Sequence, residues 1–198
     1  MAQKKLKDTT QKSARLLWPL LALFAVLTAA MMQLRYQGRA WWCSCGQAFP
    51  WVGDIWSSHN SQHLLDPYAF THVLHGFAFF WLLSWLLPRV PQLWQLFIAI
   101  LLEAIWEVFE NTEFTIQRYR EATAALGYFG DSVANSLGDV ATCGVGFLIA
   151  QRLGPRRSIV AFAITEVVLL VWIRDSLLLE ILMLIYPIDW LKAWQLGH

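Results

Sequence analysis

Three carboxylates spaced i, i+4 and i+7, Glu103, Glu107 and Glu110, interrupt an otherwise apolar run that extends from Gln92 to about Asn111. On a helix this spacing puts all three on one face. A second run repeats a polar group every four residues, Asp131, Asn135 and Asp139, again on one face. A third carries His72 and His75 one turn apart, and Glu166 stands in a fourth. His72, His75, Glu103, Glu107 and Asp139 have the donor chemistry of a divalent-metal site. Without metal, Glu103, Glu107, Asp139 and His75 are the residue types for general acid–base catalysis. A mixed imidazole–carboxylate set suits several metals and selects none.

The setting makes these groups notable. The chain has 198 residues, 57% of them hydrophobic and 15% charged, with twelve Trp and twelve Phe, and its mean hydropathy is +0.44. A soluble domain of this length needs more charge on its surface, so the bilayer is the expected solvent. The net charge of +1 says nothing about a nucleic-acid partner, but no basic patch with interleaved aromatics appears and no such partner is expected. The expected fold is all-α: a polytopic membrane bundle of five transmembrane helices plus a C-terminal interfacial, re-entrant or sixth helix. The apolar runs are continuous, unlike the alternating ~10-residue segments of a membrane β-barrel.

Residues 1–15 form a basic N-terminus with Lys4, Lys5, Lys7, Lys12 and Arg15 against Asp8. A single helical domain is expected over 16–198, with outer loops at 35–68 and 112–130. The spans are Leu16–Leu34, Ala69–Leu87, Gln92–Asn111, Asp131–Ala150 and Ser158–Ile173. The first is read as an uncleaved anchor, with a signal peptide cleaved near Thr28 and Ala30 as the rival. Arg89 and the run Arg152, Arg156 and Arg157 mark cytoplasmic turns, which places the N-terminus in the cytoplasm. The run from Leu177 to Tyr186 is short for a full span.

Rise per residue converts position into depth below the outer interface. His72 and His75 fall at roughly 5 and 9 Å, and Glu103, Glu107 and Glu110 at roughly 12, 6 and 2 Å. Asp139 and Glu166 both fall near 12 Å by the same measure, about level with Glu103. A carboxylate at the bilayer centre costs about 2.5–3.5 kcal/mol, so four of them facing lipid would cost on the order of 10 kcal/mol. They are expected to face one another, the histidines, water or a cation. Asp131 could instead cap its helix, following Gly130. Arg118, Arg120 and Arg174 stand near the mouth and, with Asn135 and Asp131, form the expected substrate-binding set for a phosphate or carboxylate head group.

The first outer loop holds Cys43 and Cys45, followed by His59 and His63. This approaches a zinc-ligand spacing, though the Cys-x-Cys gap is one residue short of the usual pattern. Free thiols or a strained disulfide are preferred to zinc. Cys143 is expected to be a small buried hydrophobe.

Longer strings then carry a resemblance: Cys43-Ser44-Cys45-Gly46, Asn60-Ser61-Gln62-His63-Leu64, Thr71-His72-Val73-Leu74-His75-Gly76, Glu103 to Asn111, Tyr128 to Asp139, Ile173-Arg174-Asp175, and Leu182 to Pro187. They resemble an uncharacterised bacterial inner-membrane family, domain of unknown function 2585, over nearly the whole chain beyond the basic N-terminus. His59 lies outside these strings. The resemblance implies a multi-pass protein of the bacterial cytoplasmic membrane and brings no activity with it. More loosely, His75, Glu103 or Glu107, and Asp131-x3-Asn135-x2-Gly138 are similar to the VanZ-like group, which implies action on cell-envelope components.

Two functions are compatible with this sequence. One is a membrane-embedded hydrolase or transferase, metal-assisted or acid–base, acting on a lipid or lipid-linked substrate from the outer leaflet. The other is a proton- or cation-coupled carrier, or a non-catalytic accessory subunit of a membrane complex. The inner halves of the spans are almost wholly apolar, with Ser84 and Thr165 the main polar members, which favours a one-sided site over a pathway.

Overall fold

The computed structural model describes residues 2–197, with side chains from Leu17 onward, so the side chains of the basic stretch 1–15 lie outside the described residues. The described residues form seven helices and no strand beyond an isolated bridge between Trp51 and Leu65. They are α1 (Ala2–Tyr36), α2 (Ala69–Leu86), α3 (Gln92–Glu110), α4 (Glu113–Ala122), α5 (Val133–Trp172), α6 (Leu177–Ile185) and α7 (Asp189–Leu196). Four of them, counting α1 from Leu17, are long and apolar enough to cross a membrane. Their outward faces are apolar in the way lipid requires: Phe24 and Val171, for example, are 71% and 81% exposed.

Five spans were expected, and the difference lies in α5. This 40-residue unit contains the expected fourth and fifth spans, bent at Gly154 (φ 75°, ψ 168°) just before Pro155. Gly154 supplies a left-handed conformation that side chains resist, and Pro155 then starts the second arm without needing an N–H bond. The two arms lie antiparallel against α2. Phe80 packs on Phe147 of the first arm, and Trp81 donates to Ser158 Oγ and packs on Phe162 of the second. Further along the second arm, Leu169 and Ile173 reach back to Leu74.

The α2–α5 contact is close because glycines line it. A Cβ on Gly76 would collide with the backbone of Cys143 and Phe147, and one on Gly146 with the backbone of Val73. Small residues at a helix crossing let two backbones approach, as membrane packing favours. α3 runs antiparallel to α2, and α1 packs on α3 through Val26, Leu27 and Ala30 against Ile100, Ala104 and Val108. A core of Phe77, Phe80, Leu83, Ala99, Phe147 and Ala150 fills the end of the bundle remote from the long loops.

The C-terminal ambiguity resolves into two short helices rather than a sixth span. The nine residues of α6 reach only about 14 Å, half a hydrocarbon core. Pro187, between α6 and α7, marks the break. The loop at 112–130 is also more ordered than expected. Thr112 accepts a hydrogen bond from Thr115 N, and α4 begins there with Glu113 in its first turn, where an acid complements the helix dipole.

Candidate functional site

α2 and α3 bring their polar residues face to face at the loop-side half of the bundle. His72 Nδ1 lies 2.6 Å from Glu103 Oε1, and His75 Nδ1 lies 2.9 and 3.1 Å from the two oxygens of the same carboxylate. A carboxylate only accepts, so both imidazoles present N–H to Glu103 and keep Nε2 free. His72 is also 3.4 Å from Glu107 Oε1 and, through Nε2, 3.9 Å from Asp139 Oδ2 on α5. Glu103 and Glu107 are fully buried. Neither oxygen of Glu107 has a hydrogen-bond partner, and Asp139 Oδ1 has none either. Buried polar atoms rarely go unpaired, and an unpaired buried charge is costlier still.

Two overlapping sets could therefore hold a cation: His72, His75 and Glu103, and His72, Glu107 and Asp139. A third, Glu107, Glu110 and Asp131, adjoins them. Within each set one ligand atom per residue lies within 4.8 Å of the others. Without a cation the same geometry makes two carboxylate-oriented imidazoles, each able to take or give a proton at Nε2.

These residues meet a cavity of about 1050 Å³ that opens among the loops. His72, His75, Glu103, Asn135 and Asp139 line it, while Glu107 stands behind them. Its walls are largely apolar and aromatic, with Phe79, Trp106, Phe109, Ile181 and Leu184 among them. Every charged side chain lining it is acidic or imidazole, with no lysine or arginine among the described residues.

Of the remaining expected site residues Asp131 also lines the cavity, while Glu166 and the three arginines are placed differently. Asp131 does not cap α5; Ser132 does, accepting from Asn135 N. Asp131 instead accepts from Asn111 Nδ2 at 2.7 Å and Tyr128 Oη at 2.9 Å, and donates its own N–H to Asn111 Oδ1. Burial raises its carboxyl to about 6 against those two bonds. Glu166 does not join the histidines: its Oε2 accepts from Leu178 N at the start of α6. The three arginines lie outside the lining. Arg118 donates to the carbonyls of Leu184 and Ile185, Arg120 to that of Tyr128, and Arg174 to those of Trp194 and Gly197.

Sequence reasoning passed over Asp66. It is buried and gathers three donors: Ser61 N at 2.9 Å, Tyr68 N at 2.8 Å and Asn135 Nδ2 at 3.4 Å. It thereby ties the first loop to α2 and α5, with Ser61 held at φ 61°. Asp175 and Glu180 also line the cavity. The only sequence signal for Asp66 was an acid three residues before the first residue of α2, ahead of its N-cap Tyr68. Cys143 is buried as expected, and Cys43 and Cys45 are free thiols.

Known proteins bear on this arrangement in one direction. A family model described as "Protein of unknown function (DUF2585)" matches residues 34–197, a range that includes every residue of the site. A UPF0314 protein of Rhizobium meliloti (strain 1021) is 43% identical over 191 residues, 96% of both chains. UPF0314 proteins of Paracoccus denitrificans (strain Pd 1222) and Sphingopyxis alaskensis are each 41% identical. The first covers 94% of both chains; the second covers 91% of this chain and 95% of its own. No solved structure matches. With the family model spanning the bundle and bacterial relatives aligned nearly end to end, this chain belongs to the DUF2585 (UPF0314) family.

Proposed function

We propose that this protein resides in the bacterial inner membrane and binds a divalent cation through His72, His75, Glu103, Glu107 and Asp139. There it acts on a lipid or lipid-linked cell-envelope substrate, as a metal-assisted or acid–base hydrolase or transferase. One observation carries the reading: orphaned carboxylate oxygens and paired imidazoles stand at the end of an apolar-walled cavity. Apolar walls suit an acyl or isoprenoid chain, and the polar end suits a head group or a scissile bond. An anionic head group would be repelled by the acidic lining unless a cation neutralised it, so the metal serves binding as well as chemistry.

The orientation follows from charge. Arg89 and the Arg152–Arg157 turn lie at the end opposite the cavity, and the positive-inside rule makes that end cytoplasmic. The cavity then opens outward. A carrier is disfavoured because the core of Phe77, Phe80, Phe147 and their neighbours fills the bundle beyond the cluster. Arg118, Arg120 and Arg174 would position mouth segments rather than grip substrate directly, since their guanidinium groups already bind carbonyls.

The test is incubation of the purified protein, in detergent with manganese, with a total lipid extract from a bacterial envelope, read by mass spectrometry. Consumption of one lipid class by the parent, lost in His75→Ala and Glu103→Gln, is the expected result. An extract unchanged relative to these variants, with no lipid class enriched on the parent, would overturn the enzymatic reading.

A further inference from the structure

The loop before α2 brings together four side chains that the cavity does not use. Cys43 Sγ lies 3.3 Å from His59 Nδ1, and Cys45 Sγ lies 3.5 Å from His63 Nε2. One ligand atom from each of the four lies within 4.8 Å of the others. We propose that Cys43, Cys45, His59 and His63 form a structural zinc(II) site that fastens the rim of the cavity.

The distances fit the metal. Zinc–sulfur and zinc–nitrogen bonds of about 2.3 and 2.1 Å in a tetrahedron put sulfur and nitrogen roughly 3.6 Å apart. Both observed pairs are close to that edge. A single thiol–imidazole hydrogen bond would account for one such pair; it leaves unexplained why two pairs converge on one point.

The tautomer of His63 is also set. His63 Nδ1 lies 2.8 Å from the Phe49 carbonyl oxygen, which can only accept, so Nδ1 carries the proton and Nε2 offers its lone pair toward Cys45. A backbone carbonyl on the far nitrogen is the usual support of a metal-bound histidine. Phe49 further fixes this ring by stacking at 4.2 Å and 13°, with Trp42 edge-on at 5.4 Å. Cys45 N–H donates to Cys43 Sγ at 3.3 Å, which holds the two cysteines in one tight turn. Gly46, at φ 70°, completes the turn that brings both sulfurs to one side despite the short Cys-x-Cys gap.

Charge and protons balance. Each thiol releases one proton to solvent, and two thiolates with two neutral imidazoles leave the zinc complex uncharged. Four protein ligands close the site, which makes it structural rather than catalytic. Its role follows from chain order: Asn60, Ser61 and Gln62 lie between the two histidines and line the cavity. Zinc at this point would join the turn at 43–46 to the segment that Asp66 holds from the other side.

The experiment uses the full-length protein, purified in detergent without a histidine tag. About one zinc per chain is expected, as a closed site requires. After stripping, cobalt(II) should restore a thiolate-to-metal charge-transfer band, which an imidazole–carboxylate site cannot give. Cys45→Ser and His59→Ala should lose that band, whereas His59→Cys should keep the metal and strengthen the band. Should the single-ligand variants misfold, the parent and His59→Cys still decide the matter. A Cys43–Cys45 disulfide in the intact mass, or cobalt loading without the band, would overturn the proposal. So would thiol alkylation rates that zinc leaves unchanged.

Discussion

Replacing Glu107 with Gln should change the protein's stability in opposite ways depending on whether metal is present. Both carboxylate oxygens of Glu107 are buried without a hydrogen-bond donor, and the residue is 1% exposed. Without a cation, a neutral amide of the same shape replaces a carboxyl that no donor bonds and whose one imidazole neighbour, His72 at 3.4 Å, is already bonded to Glu103, and a poorly paired buried charge costs several kcal/mol. The Gln variant should then be at least as stable as the parent. With a divalent ion at about a hundred times its dissociation constant, the parent gains about 2.7 kcal/mol by mass action. A variant that binds about a hundredfold more weakly gains about 0.4 kcal/mol at the same concentration. The difference of about 2.3 kcal/mol corresponds to roughly 5–9 °C in Tm for a chain of this size. Manganese is the suitable titrant because carboxylates and imidazoles bind it better than thiolates do, which leaves the loop cysteines out of the measurement. Melting curves of parent and variant, each in chelator and in manganese, give the four numbers needed. If the variant loses the same amount in both conditions, Glu107 is held by something other than a cation. The metal reading also fails if manganese leaves the parent unmoved.

Two further outcomes are expected. Gly76→Ala should lower stability by about 2 kcal/mol or more, because its Cβ meets the backbone of Cys143 and Phe147, whereas Gly144→Ala, whose nearest neighbour is Ile100 at 3.6 Å, should be tolerated; equal Tm values for the two would refute the close-crossing argument. Burial raises the Asp175 carboxyl to about 7, against hydrogen bonds from Ser176 N and Tyr68 Oη. The folded state therefore holds a proton that the unfolded chain releases near its model value of 3.8, and the stability this confers is lost as pH rises toward 7. Relative to Asp175→Asn, the parent should lose about 1.4 kcal/mol per pH unit between about pH 4 and 7 and then level off; parallel Tm-against-pH curves for the two proteins would show that Asp175 does not titrate in this range.

The helical part of the site was legible because helix geometry is short-range and strict. A carboxylate every turn in an apolar run has one face to occupy, and spacing together with depth put Glu103 and Glu107 at the level of the histidines. The arginines were not legible in this way. A guanidinium near a cavity mouth serves an anion or a carbonyl equally well, and helix ends supply carbonyls in number. Arg118 meets the last turn of α6, whose existence as a nine-residue helix depends on Pro187 and on packing against α4. Glu166 was at the expected depth but on a face turned toward the α6 N-terminus, and depth alone does not fix rotation about a helix axis. In the loop, spacing alone did not show that the two cysteines face His59 and His63, which the turn ending at Gly46, at positive φ, sets beside them.

The distribution of stiffness in the molecule bears on what the cavity does. The deep wall that carries His72, His75 and Asp139 belongs to the α2–α5 crossing, where glycines bring two backbones into contact and leave no room for adjustment. The rim is made of different material: a loop tied through Asp66 and Ser61, and the short helices α4 and α6. Segments with few buried contacts and short hydrogen-bonded stretches open at lower free energy than packed helices. On the proposed function, ligand entry would fall to the rim, while the acid–imidazole geometry stays fixed, as preorganised electrostatics requires. A transporter needs the opposite arrangement, with a second compliant zone beneath the site that opens when the first closes. Here that zone is filled by Phe77, Phe80, Leu83, Ala99, Phe147 and Ala150. Opening it would expose a packed aromatic core to water at a cost of about 1.5–3 kcal/mol for each large side chain. That cost, set against a rim built from short elements, supports the proposed role of transforming or holding a ligand over one of passing it through.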